Sequence, residues 1–454
     1  MKRTIIKELR AWKTSELRKP LILHGARQVG KTYILRKFGQ NDFPRYHYVN
    51  FENDERLSSV FEDGISPAKI INELQFLLDC SINTAEDLVI FDEIQQCPRA
   101  LTALKYFREE MPELALCGAG SLIGVNLAPD SFPVGKVTIL NLYPLSFDEF
   151  LAGVENTRLA ELLRDEKFLT PLPRIAHDQL WDLWKTYLVI GGLPEMINIY
   201  RENIDNRYEA MKLARRVQSD LLDTYMADIA KHSGKTNALH IERLWRNVAM
   251  QLARTRDEGA RKFRFKDAVP GMRGYERLSS PLDWLEKARL ILRTSIVKRA
   301  ETPLAGFARD NRFKQYFFDV GLLNAITNTP PAQILKFNYG SYKGYLTENF
   351  VAQELRAAGI RELFCWEGRT SEVEFLLETP SGIIPWEVKS GRIRQTKSLK
   401  TFEDHYHPEL SIILSPGNVK IQGSRWQVPV YAAGRLGNLL IENTDSHGSL
   451  YGVR

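Results

Sequence analysis

A glycine-rich segment near the N-terminus constrains the fold of this chain more than any other feature. Residues 25–32 read Gly-Ala-Arg-Gln-Val-Gly-Lys-Thr and match the pattern G-x-x-x-x-G-K-[ST] in full. An apolar run at 21–25 leads into the segment, and a helix candidate at 31–38 follows. In this context the glycines let backbone N–H groups point at phosphates, and the helix N-terminus adds partial positive charge. The sequence therefore predicts a P-loop, and the alternative is a chance glycine turn before an amphipathic helix.

The P-loop residues are candidates for binding ATP together with Mg²⁺. Lys31 is expected to reach the β- and γ-phosphates, and Thr32 is expected to ligate the metal ion. The candidate nucleotide-binding residues of the loop are Gly25, Ala26, Arg27, Gln28, Val29, Gly30, Lys31 and Thr32.

Two adjacent carboxylates end another apolar strand candidate. Residues 88–92 read Leu-Val-Ile-Phe-Asp, and Glu93 follows. Ligands bind at the carboxyl ends of strands in open parallel sheets, so Asp92 is expected to hold magnesium. Glu93 is expected to orient and polarise the attacking water, which makes it a candidate catalytic residue alongside Lys31. A solvated acidic pair at a strand end is the alternative.

Ser121 follows a further strand candidate at 114–118, at a point where a polar side chain could sense the γ-phosphate. An ordinary turn serine is the alternative. No arginine can be assigned as the group that stabilises transition-state charge, because a neighbouring subunit often supplies it. The sequence therefore leaves the oligomeric state open.

The alternation of strand and helix candidates along the chain predicts the fold class. From residue 20 to about residue 151, short apolar runs alternate with helical segments, which is typical of βαβ units. This predicts an α/β fold with a parallel sheet and helices on both faces. At 454 residues the chain is too long for one ordinary core. Further strand candidates lie at 291–298, 372–377, 384–388 and 410–414.

Composition narrows the class of protein. Apolar residues make up 44% and charged residues 26%, values near the average for soluble globular proteins. No run approaches the roughly 18 apolar residues that span a membrane, and the N-terminus lacks the apolar core of a secretory signal. The cytoplasm is therefore the expected location. A formal charge of +6 permits DNA as a partner without requiring it.

Further sequence motifs follow the P-loop along the chain. The motifs are Phe-Asp-Glu-Ile-Gln at 91–95, Leu-Tyr-Pro-Leu-Ser-Phe at 142–147 with Glu149 and Phe150, Gly-Gly-Leu-Pro-Glu at 191–195, Phe-Asp-Val-Gly-Leu-Leu at 318–323, Glu-Asn-Phe at 348–350 and Glu-Val-Lys-Ser-Gly at 387–391. In this order they resemble one family almost from end to end. That family is the prokaryotic AAA-type ATPases with a C-terminal domain of unknown function that contains a restriction-endonuclease-like fold.

The resemblance implies a division of the chain into four parts. They are an AAA-type P-loop ATPase core at 1–150, a helical lid or connector at 151–234, a winged-helix-like region at 235–310 and a restriction-endonuclease-like α/β domain at 311–454.

A second candidate site belongs to the nuclease-like part. Glu387 and Lys389 are two residues apart on a strand candidate, so both side chains point to one face. Glu374 is the expected upstream partner, and Glu348 joins from a helix. Such carboxylates could hold magnesium near a scissile phosphate, with Lys389 steadying the water. The family pattern has Asp where this chain has Glu374, and a solvated charge pair on a scaffold that does not cut is the alternative.

Three functional hypotheses result. The first is an ATPase whose Mg²⁺-dependent hydrolysis of ATP drives conformational change of the C-terminal part, acting on DNA. The second is a metal-dependent nuclease gated by ATP. The third is a nucleotide-regulated interaction module that does not hydrolyse ATP, and the position of Glu93 favours the first hypothesis over it.

Overall fold

Two units make up the structure, which is a computed structural model. It describes residues 1–54, 56–121, 132–233, 235–254, 262–337, 340, 342–391, 393 and 396–445. We call Lys2–Tyr143 together with Lys287–Arg289 the N-terminal unit. The C-terminal unit consists of Met1, Pro144–Glu286 and Leu290–Arg454.

A parallel sheet of five strands, flanked by helices, forms the described part of the N-terminal unit. Its strands are β1 Leu21–His24, β2 Tyr46–Asn50, β3 Leu88–Asp92, β4 Ala115–Gly120 and β5 Thr138–Asn141. Its helices are α1 Ile5–Lys13, α2 Lys31–Asp42, α3 Arg56–Ser59, α4 Pro67–Leu77 and α5 Pro98–Glu110. Strands β1, β3 and β4 are buried along their whole length, as expected of a parallel sheet covered on both faces. The predicted α/β class is confirmed.

The strand order brings the predicted site residues to one edge of the sheet. The order is β2-β3-β4-β1-β5, so β4 lies between the strand before the P-loop and the strand that ends in Asp92. Because the strands are parallel, their carboxyl ends lie along the same edge. A cluster of edge-to-face aromatic rings, Phe51, Phe61, Phe91 and Phe107, packs in the core of this unit.

Helices make up much of the C-terminal unit. They are α6 Phe147–Gly153, α7 Thr157–Arg164, α8 Arg174–Ile190, α9 Pro194–Glu202, α10 Arg207–Ser233, α11 Lys235–Arg254, α12 Tyr275–Lys287, α13 Val320–Ile326, α14 Pro331–Lys336, α15 Tyr342–Ala357, α16 Lys397–Tyr406 and α17 Ala433–Asp445. Ser146 and Glu149 form a capping box that fixes the start of α6. None of the described helices has the length and apolar character that crossing a bilayer requires.

A mixed sheet of eight strands completes the described part of the C-terminal unit. The order is β12-β13-β11-β10-β9-β8-β6-β7. The strands are β6 Ile291–Val297, β7 Phe313–Phe317, β8 Leu363–Glu367, β9 Glu372–Thr379, β10 Gly382–Val388, β11 Ser411–Ser415, β12 Lys420–Gln422 and β13 Arg425–Pro429. Strand β6, from the region predicted to be winged-helix-like, pairs with β7 and β8 of this sheet. The four-part division of the chain stays a prediction.

Two of the sequence motifs pack against each other inside the C-terminal unit. Gly191 has φ 79°, and a Cβ there would lie 2.3 Å from Asp319 Oδ1. Asp319 accepts a hydrogen bond from the Gly192 N–H at 2.7 Å and another from the Leu322 N–H at 2.9 Å. The motifs at 191–195 and 318–323 are therefore needed for close packing of the chain, since only glycine fits at this contact.

Candidate functional site

The P-loop connects β1 to α2 through backbone conformations that favour glycine. Gly30 has φ 96° and Gln28 has φ 64°, both in the left-handed region. A Cβ at Gly25 would lie only 2.3 Å from the carbonyl oxygen of Leu142. The first glycine of the motif is therefore required by the close approach of the chain that follows β5.

Lys31 is buried at the start of α2. Its Nζ donates hydrogen bonds to the carbonyl oxygens of Gly25 at 3.0 Å and Ala26 at 2.9 Å, so the side chain lies along the loop. Burial lowers the pKa of Lys31 to about 8, against the opposing effect of the Glu93 and Asp92 carboxylates. The ammonium group is thus held close to both acidic residues in a poorly solvated position.

Asp92 receives hydrogen bonds from two neighbouring elements. Its Oδ2 accepts one from Thr32 Oγ1 and one from Tyr48 Oη, both at 2.6 Å. Burial is the main cause that raises the pKa of Tyr48, and the neighbouring Asp92 carboxylate adds to the effect. The phenol therefore stays protonated and donates the hydrogen bond. Thr32 and Asp92, the two predicted magnesium ligands, are therefore in direct contact. The sequence analysis did not identify Tyr48. A signal was present, because Tyr48 and Asn50 are two residues apart, so their side chains lie on the same face of β2 near its carboxyl end.

Glu93 and Ser121 lie at the ends of adjacent strands. Glu93 has φ 50°, which turns the chain sharply after β3, and its carboxylate accepts a hydrogen bond from Gln95 Nε2. Burial raises the pKa of Glu93, although the nearby Lys31 ammonium opposes this effect. Ser121 is 1% exposed, and its Oγ has no hydrogen-bond partner among the described residues. A buried hydroxyl of this kind fits a site that binds a polar ligand.

A histidine and a distant arginine also lie at the carboxyl edge of the five-stranded sheet, and the sequence analysis identified neither. His24 ends β1 and pairs in register with Asn141, which ends β5. Arg289 belongs to the N-terminal unit although it lies far along the chain, and its Nη2 donates to Asn141 Oδ1 at 2.8 Å. Burial, followed by the positive charges of Arg289 and Lys31, lowers the pKa of His24 to about 4. No sequence signal links residue 289 to the P-loop, since only the tertiary fold brings them together.

The residues at this edge fit a nucleotide with its Mg²⁺. The P-loop presents backbone N–H groups, Lys31 presents a cation, and the hydroxyl of Thr32 and carboxylate of Asp92 are hard oxygen ligands 2.6 Å apart. The unpartnered Oγ of Ser121 and Nε2 of His24 add buried polar atoms to the same edge. Magnesium commonly takes one or two carboxylates and completes its shell with phosphates and water, so this donor set is sufficient.

The residues of the second predicted site belong to the C-terminal unit, where contacts link several of them. Glu374 on β9 accepts a hydrogen bond from the Val388 N–H at 3.1 Å, and Lys389 Nζ lies 2.5 Å from Glu387 Oε1. Burial, followed by the negative charges of Glu387 and Glu348, raises the pKa of Glu374. The four predicted residues therefore lie near one another in one buried cluster.

A lysine that the sequence analysis missed lies in the same cluster. Lys314 on β7 is buried and contacts the carboxylates of Glu348 and Glu372. Burial disfavours its charged form, but Glu372, Tyr316 and Glu348 outweigh that effect and raise the pKa of Lys314. Throughout the part of the chain that the structure describes, no three His, Cys, Asp or Glu side chains are grouped so that they could hold a metal ion.

Three family models match separate parts of the chain. Residues 17–151 match an AAA domain. Residues 182–333 match a domain of unknown function (DUF8612), and residues 343–432 match another (DUF4143). The first match supports the predicted AAA-type ATPase in the N-terminal part, whereas the other two descriptions name no fold or activity. No curated protein matches the chain.

Several solved structures share a distant similarity with the chain. The Walker-type ATPase PABY2304 of Pyrococcus abyssi is 17% identical with a TM-score of 0.46, covering 71% of this chain and 95% of its own. The Orc1 protein of Aeropyrum pernix, solved in complex with DNA, is 15% identical with a TM-score of 0.30, covering 74% and 95%. RuvB of Thermotoga maritima is 15% identical with a TM-score of 0.31, covering 64% and 87%.

Proposed function

We propose that this protein is a Mg²⁺-dependent ATPase whose nucleotide state controls the conformation of its C-terminal unit. The observation that carries the proposal is the hydrogen bond between Thr32 and Asp92, next to the buried Lys31 at the carboxyl edge of a parallel sheet. A chance glycine turn would not require a threonine hydroxyl, a carboxylate and a buried ammonium group to converge. Binding of a polyphosphate with its metal ion gives all three a role.

The binding residues act mainly by electrostatics. The ammonium group of Lys31 is poorly solvated, so negative phosphate oxygens would favour its charged form. Thr32 and Asp92 would hold Mg²⁺, which neutralises charge that develops on the phosphates. Tyr48 holds the Asp92 carboxylate in place through its hydrogen bond. Each of these groups is fixed before substrate binds, which reduces the cost of organising the site.

Glu93 is the residue that we assign to hydrolysis. Its carboxylate follows Asp92 directly, its backbone turn is sharp, and Gln95 orients it by a hydrogen bond. Burial raises the pKa of Glu93 above that of an exposed carboxylate, which makes it a stronger base. Ser121 and Arg289 flank the same edge, and we assign them to sensing the phosphates, Ser121 by its hydroxyl and Arg289 by its charge.

ATP binding with and without Mg²⁺ tests this proposal by isothermal titration calorimetry. Wild type should bind ATP more tightly with Mg²⁺ than with EDTA, and Lys31→Ala should lose binding under both conditions. Lys37→Ala removes the same charge from the same helix and serves as the matched control. Equal ATP affinity in wild type and Lys31→Ala would overturn the proposed site.

An ATP-gated nuclease is the second candidate, and it concerns the C-terminal unit. It is favoured by the convergence of Glu348, Glu374, Glu387 and Lys389, and its substrate would be DNA. Pure protein incubated with duplex DNA, ATP and Mg²⁺ should then cut it, and Glu387→Gln should not. DNA binding itself is tested by its loss with rising salt, which phosphate contacts require.

A further inference from the structure

Lys314 lies in the carboxylate cluster of the C-terminal unit, although no sequence motif indicates it. It lies on β7 and is 1% exposed. Its Nζ contacts the Glu372 carboxylate and lies 3.8 Å from Glu348 Oε2. A buried ammonium group is tolerated only where carboxylates surround it, and buried carboxylates likewise need a cation beside them. Lys314 and these carboxylates therefore depend on one another.

Each remaining carboxylate of the cluster has one oxygen atom engaged by the chain, whereas Glu387 Oε2 is buried without a hydrogen-bond partner among the described residues. The ammonium group of Lys389 pairs with Glu387 at 2.5 Å, the Val388 N–H donates to Glu374 at 3.1 Å, and the Tyr316 hydroxyl donates to Glu348 at 2.9 Å. Magnesium demands several oxygen ligands in near-octahedral geometry and gives up its water reluctantly. It would have to displace these donors, and among the described residues no set of side chains is arranged to receive it.

We propose that the ammonium group of Lys314 takes the place of a divalent metal ion in this cluster. Lys314 and Lys389 offset part of the negative charge of the carboxylates in the cluster, and the C-terminal unit takes up no Mg²⁺ there. Metal-dependent cleavage of DNA, the second candidate function, is then excluded for this unit. The inference does not depend on ATP hydrolysis by the N-terminal unit.

The role of Lys314 can be isolated because methionine has nearly the same length and no charge. Lys314→Met removes the cation beside Glu348 and Glu372 and leaves the oxygen atoms in position. The cluster then carries excess negative charge in a buried location, which destabilises the fold until a cation enters. A small divalent ion that prefers oxygen ligands would restore the balance.

Mn²⁺ uptake, followed by electron paramagnetic resonance on the full chain without nucleotide, tests the proposal. Asp92→Asn is included throughout to remove the metal-binding carboxylate of the N-terminal unit. With Lys314 present, this protein should take up no Mn²⁺ in the C-terminal unit. Adding Lys314→Met should produce Mn²⁺ binding there, with a Kd at least about tenfold below the highest Mn²⁺ concentration at which the protein with Lys314 shows no uptake, and adding Glu374→Gln should abolish that binding. Lys400→Met removes an exposed charge on α16 and should leave Mn²⁺ binding unchanged.

Two results would overturn the proposal. One is Mn²⁺ binding by the Asp92→Asn protein that disappears with Glu374→Gln while Lys314 is intact, since the cluster would then be a metal site already. The other is a folded Lys314→Met protein that binds no Mn²⁺ and whose melting temperature Mn²⁺ does not raise. The first measurement needs no change at Lys314, so it decides the question even if Lys314→Met fails to fold.

Discussion

Replacing Lys31 with methionine is expected to stabilise the nucleotide-free protein at neutral pH while abolishing ATP turnover. Burial holds the pKa of Lys31 at about 8, below the value of 10.5 for an exposed lysine. Because the folded-state pKa is the lower one, the charged side chain costs stability below pH 8. The cost is relieved as the pH rises from about 8 towards 10.5.

The magnitude of the effect follows from the two pKa values. The cost of burying the charge is about 3 kcal/mol at pH 7 and falls to about 1 kcal/mol at pH 10. Methionine removes this cost but also loses the hydrogen bonds to Gly25 and Ala26, worth about 1 kcal/mol each. The variant should therefore be more stable than wild type by about 1 kcal/mol at pH 7, and less stable by about the same amount at pH 10.

Urea unfolding at both pH values measures this difference. Trp12 is the only tryptophan in residues 1–143 and in 287–289, so a 5-fluorotryptophan label observed by ¹⁹F NMR reports on the N-terminal unit separately. Separate observation is needed because two units need not unfold in one step. A stability difference between variant and wild type that does not change with pH would refute the assignment of a buried, charged Lys31.

Three further changes test the geometry of the site. Gly25→Ala should abolish ATP binding in a calorimetric titration, since the new Cβ would lie 2.3 Å from the Leu142 carbonyl oxygen; retained affinity would show that the loop adapts. Tyr48→Phe should weaken Mg²⁺-dependent ATP binding by about 1 kcal/mol, because Asp92 loses a hydrogen bond, and no change in that titration would count against the role of Tyr48. Arg289→Ala should raise KM for ATP or lower kcat while Arg289→Lys recovers part of the loss, and unchanged kinetics would exclude a phosphate-sensing role.

Much of the candidate nucleotide site could be proposed from the sequence because its residues lie close together along the chain. Residues 25–32 contain every group that the P-loop needs, and the strand that ends in Asp92 is a plain apolar run. The parallel sheet then follows from the alternation of strands and helices. Thr32 follows β1 and Asp92 ends β3, and the carboxyl ends of these two parallel strands lie along the same edge of the sheet. Only β4 separates the two strands.

The residues that were missed depend on contacts between distant parts of the chain. Arg289 joins the N-terminal unit from beyond α12, which no periodicity indicates. Tyr48 and Lys314 both lie on outer strands, where an isolated polar residue ordinarily reads as solvent-exposed. Tyr48 is half-buried on β2, which packs against α2, and Lys314 is buried on β7, which packs against α11 and α15. Sequence patterns alone could not assign either residue to a site.

The measurement that tests the central claim most directly is steady-state ATP hydrolysis with Mg²⁺, with and without duplex DNA. Wild type should turn over ATP, Lys31→Ala should be inactive, and Glu93→Gln should bind ATP but lose about 10²-fold or more in kcat. Glu62→Gln, an exposed change in the same unit, should match wild type. ATP binding by wild type without turnover under either condition, or full turnover by Glu93→Gln, would contradict the account.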